Sequence, residues 1–257
     1  MEGVISIVPM YYYVYDEFIQ DPRFERDLAL IETRVTDLGI AGKIARLALF
    51  RDPKELIRDE IRKGAKTIVA VGNDVTLRRV IDAVGDTGAV IGTIPLGKDN
   101  LMLSDILGIP VGVEACDILS ARIIEQLDTG EVNGRRFLHT VSAPQVSQLE
   151  VQVERTYKLK AYKKCSLEVR NLAIADEDVR AANPVDGKLE CVLRTLAKGL
   201  FRKNKYNVSI VPAKEFHVTL SEIVKCQADG EEFESNELRF KIIPKALKVI
   251  TGKGRKF

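Results

Sequence analysis

Cysteine and histidine are few in this chain and never cluster. Cys116, Cys165, Cys191 and Cys226 are far apart, form no C-x-x-C, and have neither His139 nor His217 beside them. That spacing argues against a zinc site. It leaves four isolated thiols, of the kind usually buried and suited to a reducing cytosol. Long apolar runs are absent too. No stretch approaches the ~18 residues a membrane-spanning helix needs. The opening Met1–Val8 is too short and too acidic for a signal peptide and reads instead as a first strand. A strong charge of one sign is also missing: the formal net charge is +2, too balanced to argue for nucleic acid as a partner. There are no repeats and no low-complexity segment.

What remains is ordinary globular composition. The 257 residues are 46% hydrophobic and 30% charged, enough for one large or two ordinary domains that need no disulfide support. The charge is unevenly spread. Residues 151–205 carry 13 Lys/Arg against 7 Asp/Glu, and the tail adds Lys245, Lys248, Lys253, Arg255 and Lys256. A basic face of this kind attracts anionic lipid head groups; a merely solvated face is the plainer alternative.

The first half alternates strand and helix patterns. Strands are expected at Val4–Pro9, 42–49, Thr67–Val71 and 89–94, and helices at 23–38, 53–63 and 77–84. In the first helix Leu28, Ile31, Val35 and Leu38 share one face and Gly39 ends it. The second has Asp52 placed to cap it and Pro53 at its first position. Residues 113–127 present the clearest helical side, with Val113, Cys116, Leu119, Ile123 and Leu127, and Asp128-Thr129-Gly130 as its stop. Such alternation implies a parallel sheet covered on both faces. Beyond about residue 132 the chain is strand-rich, with expected strands at 137–142, 149–153, 165–169, 189–196, 206–211, 217–226, 238–243 and 246–251. The alternation of Leu149-Glu150-Val151-Gln152-Val153-Glu154 marks antiparallel sheet with one wet face. The fold class is therefore α/β: an N-terminal doubly wound parallel-sheet domain over residues 1–132, then a C-terminal antiparallel β domain over 133–257. Whether the last strand returns to the first domain stays open.

Two loops follow buried strands, where open α/β sheets bind ligands. Gly72-Asn73-Asp74-Val75-Thr76 leads into a helix, whose first-turn N–H groups can hold a phosphate. Asp74 would be useful there through Mg²⁺ or as a hydrogen-bond partner; the bland alternative is that Asn73 or Asp74 simply caps the helix. In Pro95-Leu96-Gly97-Lys98-Asp99-Asn100, Gly97 permits close approach and Lys98 could meet a phosphate, or the segment is a plain turn.

These segments resemble the diacylglycerol-kinase-like lipid kinases, in which one strand is followed by G-G-D-G-T and a later one by P-L-G-T-x-N-D. Leu107-Gly108-Ile109-Pro110 is similar to that family's L-G-I-P, and Val132-Asn133-Gly134-Arg135-Arg136-Phe137 to its v-N-g-r-y-F. Asn183-Pro184-Val185-Asp186-Gly187-Lys188-Leu189, Asp229-Gly230-Glu231 and Ile243-Pro244-Lys245-Ala246-Leu247 resemble later family segments in the same order. The chain departs at Asn73 and Val75, which replace glycines, at Lys98, which replaces Thr, and at Leu101, which replaces Asp. NAD kinases share the first motif, but their G-S-T-A-Y segment has no counterpart here. The resemblance implies an ATP- and Mg²⁺-dependent kinase that phosphorylates a lipid hydroxyl, or a lapsed nucleotide- or lipid-binding module of the same fold, with its site in the cleft between the domains. Carried over residue by residue, Glu231 is the general base. Gly72, Asn73, Asp74, Thr76, Gly97, Lys98 and Asn100 line the nucleotide, and Asp186 holds Mg²⁺ with oxygens near Asn183 and Lys188. The implied partner is a lipid at a membrane surface, met peripherally by a cytoplasmic protein at the inner membrane face. A homodimer stays open.

Overall fold

The computed structural model describes residues 11–47, 53–196 and 206–257. The strand expected at Val4–Pro9 and the cap expected at Asp52 lie outside them. The chain forms two compact units: Met1–Gln126 with Leu247–Lys256, and Leu127–Ala246 with Phe257.

The first unit holds strands β1 (Tyr11–Tyr15), β2 (Lys43–Arg46), β3 (Thr67–Gly72) and β4 (Val90–Pro95). Its helices are α1 (Glu25–Asp37), α2 (Pro53–Arg62), α3 (Asp74–Val84), α4 (Met102–Ile106) and α5 (Ala115–Ala121). The strands pair in parallel in the order β2-β1-β3-β4, and Lys248 and Val249 add a further parallel pairing to Val90 and Ile91 of β4. β3 and β4 are buried along their whole length, as a central strand covered on both faces must be. Ile68, Val69 and Val71 are fully buried, each worth about 1.5–3 kcal/mol against exposure. β1 is built on a run of tyrosines. The Tyr13 hydroxyl donates to the Ile40 carbonyl at 2.7 Å, and burial pushes its phenol well above the usual range.

The second unit is antiparallel. Its strands are β6 (Arg135–Phe137), β7 (Thr140–Val146), β8 (Leu149–Val153), β9 (Tyr157–Ala161), β10 (Cys165–Arg170), β11 (Leu189–Leu196), β12 (Tyr206–Ala213) and β13 (Glu215–Ala228), with most of β5 (Ile124–Val132) and β14 (Glu231–Ile250). The order runs β12-β11-β10-β7-β13-β14, with β8 and then β9 branching from β13. Inward positions alternate as the sequence leads one to expect: Leu149, Val151 and Val153 on β8 and Phe216, Val218 and Leu220 on β13 are buried and share one core with Phe137 and Phe240.

The helix expected over 113–127 is cut short. α5 ends at Ala121, and Arg122 takes a left-handed conformation with φ 53°. It is held there by hydrogen bonds from its guanidinium to Thr67 Oγ1 at 2.9 Å and to the Tyr11 hydroxyl at 3.2 Å. Asp128-Thr129-Gly130, expected to stop that helix, lies inside β5. The two strands expected at 238–243 and 246–251 are one long strand, β14, in which Lys245 alone takes a positive φ, 52°. β1 and β9 were not expected as strands, and α3 starts at Asp74 rather than Leu77.

Candidate functional site

β3 and β4 are neighbours whose register ends on Gly72 opposite Pro95, so the loops that follow them leave the sheet together. Leu96 N–H donates to the Gly72 carbonyl at 2.7 Å, and Asp74 N–H to the Asn100 carbonyl at 2.7 Å. The structure thus brings the two sequence-predicted loops into direct contact. Gly72 is required by close packing, since a Cβ there would lie 2.4 Å from Thr76 Oγ1.

The amino end of α3 is closed by its own side chains. Asn73 is the N-cap: its Oδ1 accepts from Val75 N–H at 2.9 Å and Thr76 N–H at 3.4 Å. In return, Asn73 N–H donates to Thr76 Oγ1 at 3.3 Å, completing a capping box. The Thr76 hydroxyl donates to Asp16 Oδ2 at 2.6 Å. With Asp74 N–H on Asn100, every N–H from Asn73 to Thr76 is already given to a partner within the chain. Asp74 points inward and is 4% exposed. Its Oδ2 accepts from Leu103 N–H at 2.8 Å and its Oδ1 from Ser104 N–H at 3.4 Å, so it serves the start of α4. Burial raises its pKa, although those two amides oppose the shift. Val75 sits in the first turn of α3, 43% exposed and outside the positive-φ residues; a β-branched side chain meets no backbone strain at that position. Lys98, Asp99 and Asn100 are exposed.

In the second unit, Asn183, Asp186 and Lys188 share one exposed turn. Asn183 Oδ1 accepts from Val185 N–H at 3.2 Å and Asp186 Oδ1 from Lys188 N–H at 3.0 Å. The turn hangs on Asp128, which sequence reasoning did not single out. Asp128, 1% exposed, accepts from Gly187 N–H at 2.8 Å and Lys245 N–H at 2.7 Å, and its own N–H donates to the Pro184 carbonyl at 2.6 Å. Its signal in the sequence is slight: one acidic residue among several polar ones in Ile124–Val132, read as part of a helix stop. Glu190 follows the turn, buried, with Oε2 lacking a partner among the described residues. Burial raises its pKa and the charge of Asp186 adds to this, against Arg170 and Arg180.

Asp229 also has a structural task, its carboxylate accepting from the N–H groups of Leu138, His139 and Thr140 at 2.7, 2.9 and 3.0 Å. Glu231, two residues on, is exposed at the start of β14. Among the described residues no three His, Cys, Asp or Glu side chains converge as a metal site. The Asp186 turn therefore offers one carboxylate and backbone oxygens, a set that suits only a magnesium ion keeping most of its water.

Residues 21–132 match the family model described as the diacylglycerol kinase catalytic domain. Over 90 residues the chain is 34% identical to a probable lipid kinase YegS-like protein of Pseudomonas aeruginosa, a stretch covering 34% of this chain and 30% of that one. Over 139 residues it is 23% identical to a diacylglycerol kinase of Bacillus subtilis, covering 52% and 46%. These matches span less than half the length of either relative. Among solved structures, a diacylglycerol kinase from Bacillus anthracis superposes with a TM-score of 0.78 at 15% identity, covering 96% of this chain and 98% of that one. A second, putative diacylglycerol kinase from the same organism gives 0.75 at 14%. At such identities the likeness is one of fold.

Proposed function

We propose that this chain, whose residues 21–132 belong to the diacylglycerol kinase catalytic domain family, is a lipid-binding relative of the lipid kinases whose phosphate loop is closed by its own side chains. The family makes it kinase-like, and the relatives named lipid kinase and diacylglycerol kinase support a lipid as its ligand. ATP and Mg²⁺ are the cofactors this kinship suggests. ATP would bring phosphates, which bind a helix start through free N–H groups. The residues at α3 do not fit that task, because the Asn73 carboxamide already takes the Val75 and Thr76 N–H groups. Nor is Asp74 free for a metal, since both its oxygens serve α4. The Asn73 cap is the observation that carries the proposal. The setting that this kinship with lipid kinases suggests is the cytoplasmic face of a membrane, met peripherally. Among the described residues no helix is long and apolar enough to cross one.

A working kinase is the second reading, favoured by the hydrogen bond that ties the two loops together and by the exposed Lys98 beside it. It needs Asn73 to turn aside. In that reading Gly72, Asn73, Asp74, Thr76, Gly97, Lys98 and Asn100 line the nucleotide, the turn of Asn183, Asp186 and Lys188 holds Mg²⁺, and Glu231 takes the acceptor hydroxyl's proton. A radiolabelled ATP transfer assay against mixed lipids decides between the two. No transfer above the Glu231→Ala background is expected. Transfer that vanishes in Glu231→Ala would establish the kinase and retire our proposal.

A further inference from the structure

The two most exposed large apolar side chains among the described residues are Tyr162, 73% exposed, and Ile223, 67% exposed. They are 61 positions apart in the sequence, yet the register of the second unit brings them to one end of it. Leu220 of β13 pairs with Leu149 of β8, and Leu149 pairs in turn with Ala161 of β9. β8 is antiparallel to both neighbours, so β13 and β9 run in the same direction. Beyond that shared row come Tyr162-Lys163-Lys164, just past the end of β9, and Ser221-Glu222-Ile223, which lie within β13. Lys164 and Glu222 line one cavity of about 630 Å³, which independently places the two segments together. Ile223 falls on the outward face of β13, whose inward positions Leu220 and Val224 are buried, and lies beside a break in register between Thr219 and Val224.

The charge around this end is basic. Residues 157–167 hold Lys158, Lys160, Lys163 and Lys164 and no acid. The nearby carboxylates are engaged. Glu150 is bound by Lys158 and Lys160 at 2.5 and 2.8 Å, which holds its pKa down at about 2. Glu222 accepts from the Ser147 hydroxyl at 2.6 Å. Among the described residues β9 pairs only with β8, and lysines along its other edge disfavour the addition of another strand, and so a second copy of the chain as occupant. A tyrosine and an isoleucine standing clear of the sheet, with Lys163 and Lys164 exposed beside them, match the interface of an anionic bilayer: ring and aliphatic chain at head-group depth, ammonium groups on the lipid phosphates.

We propose that this end of the second unit, Tyr162–Lys164 with Ser221–Ile223, docks the protein on an anionic lipid surface. The inference deepens the lipid half of the function proposed above and does not depend on the state of the phosphate loop.

The test is sedimentation of the full chain with vesicles of phosphatidylcholine alone and of phosphatidylcholine with 30% phosphatidylglycerol, the latter fraction being set by the experiment at roughly the anionic content that binds basic segments. Binding is expected to the anionic vesicles only, and to fall with added salt. Lys163→Glu with Lys164→Glu, and separately Tyr162→Ser with Ile223→Ser, should each weaken it by about tenfold or more, while Arg26→Glu on the exposed face of α1 leaves it unchanged. Circular dichroism of each variant confirms that the fold is kept. No binding by the unaltered chain, equal binding by the variants, or self-association that these variants abolish without any vesicle binding would overturn the proposal. ATP transfer is read separately, so a positive transfer result leaves the docking end standing, and its failure leaves the phosphate loop's closure untouched.

Discussion

A single carboxamide decides how the start of α3 can be used. Asn73→Gly removes the acceptor for Val75 and Thr76 N–H while keeping a residue tolerated at an N-cap, so stability should fall by only a few tenths of a kcal/mol. A side-chain cap is worth about 1 kcal/mol; no longer having to displace it should tighten ATP binding about fivefold, read by titration calorimetry. Unchanged or weaker binding would show that something other than the cap keeps phosphate out. Val75→Gly should add nothing to this, because Val75 sits in ordinary helical backbone. Asp74 makes the opposite case. Asp74→Ala strands two buried N–H groups, those of Leu103 and Ser104, and should cost about 2 kcal/mol in urea denaturation. Its titration has a sign that can be checked. Burial raises the Asp74 pKa, so the folded state holds that proton more tightly than the unfolded chain does. The stability this contributes is present below the ordinary carboxylate pKa and is lost as pH rises through the higher, folded one. Comparing urea midpoints across that acidic range, the native chain should show a downward component that Asp74→Asn lacks; identical profiles would refute it.

Elements whose cues are local were legible in the sequence. β8 falls where alternation puts it, β11 covers the expected 189–196, and β3 is a short apolar strand ended by Gly72. The two loops were legible as strand-terminal, and so was the alternative that Asn73 merely caps a helix, which is the geometry the chain adopts. What was not legible depends on partners distant in sequence. The apolar side of residues 113–127 scans as helix, yet Arg122 is recruited by Tyr11 and Thr67 across more than fifty positions, and the chain turns there into β5. Asp128 looked like a stop because its partners, Gly187 and Lys245, lie 59 and 117 positions away. Gly130 is no helix terminator either. It sits opposite Phe137 on β6, and a Cβ there would come within 2.1 Å of that ring. Gly130→Ala should therefore lower stability by about 1–3 kcal/mol, the cost of overpacking a filled core. A melting temperature equal to that of the unaltered chain would mean that Phe137 has somewhere to go.

At the scale of the molecule, the second unit is, Phe257 apart, one stretch of chain, 127–246, whereas the first is completed by Leu247–Lys256. Those last residues are woven in. Leu247, Val249 and Ile250 are almost wholly buried, Thr251 N–H donates to the Ile123 carbonyl at 2.9 Å, and Gly252 N–H to Leu107 at 2.9 Å. A fragment of residues 127–246 should give a β-type circular dichroism spectrum and cooperative melting. A fragment ending at 126 should not fold until a peptide of residues 247–256 is supplied. A cooperatively folded 1–126 fragment without the peptide would refute this dependence. The same threading sets an order of events on the ribosome. Synthesis delivers the amino-terminal half first, but that half must wait as an unfinished sheet, its β4 edge open, while the whole carboxy-terminal half emerges and folds ahead of it. The nascent chain thus spends its longest vulnerable interval with the tyrosine-rich strand and its neighbours exposed. A stop codon falling just after Ala246 would damage the unit whose synthesis began first.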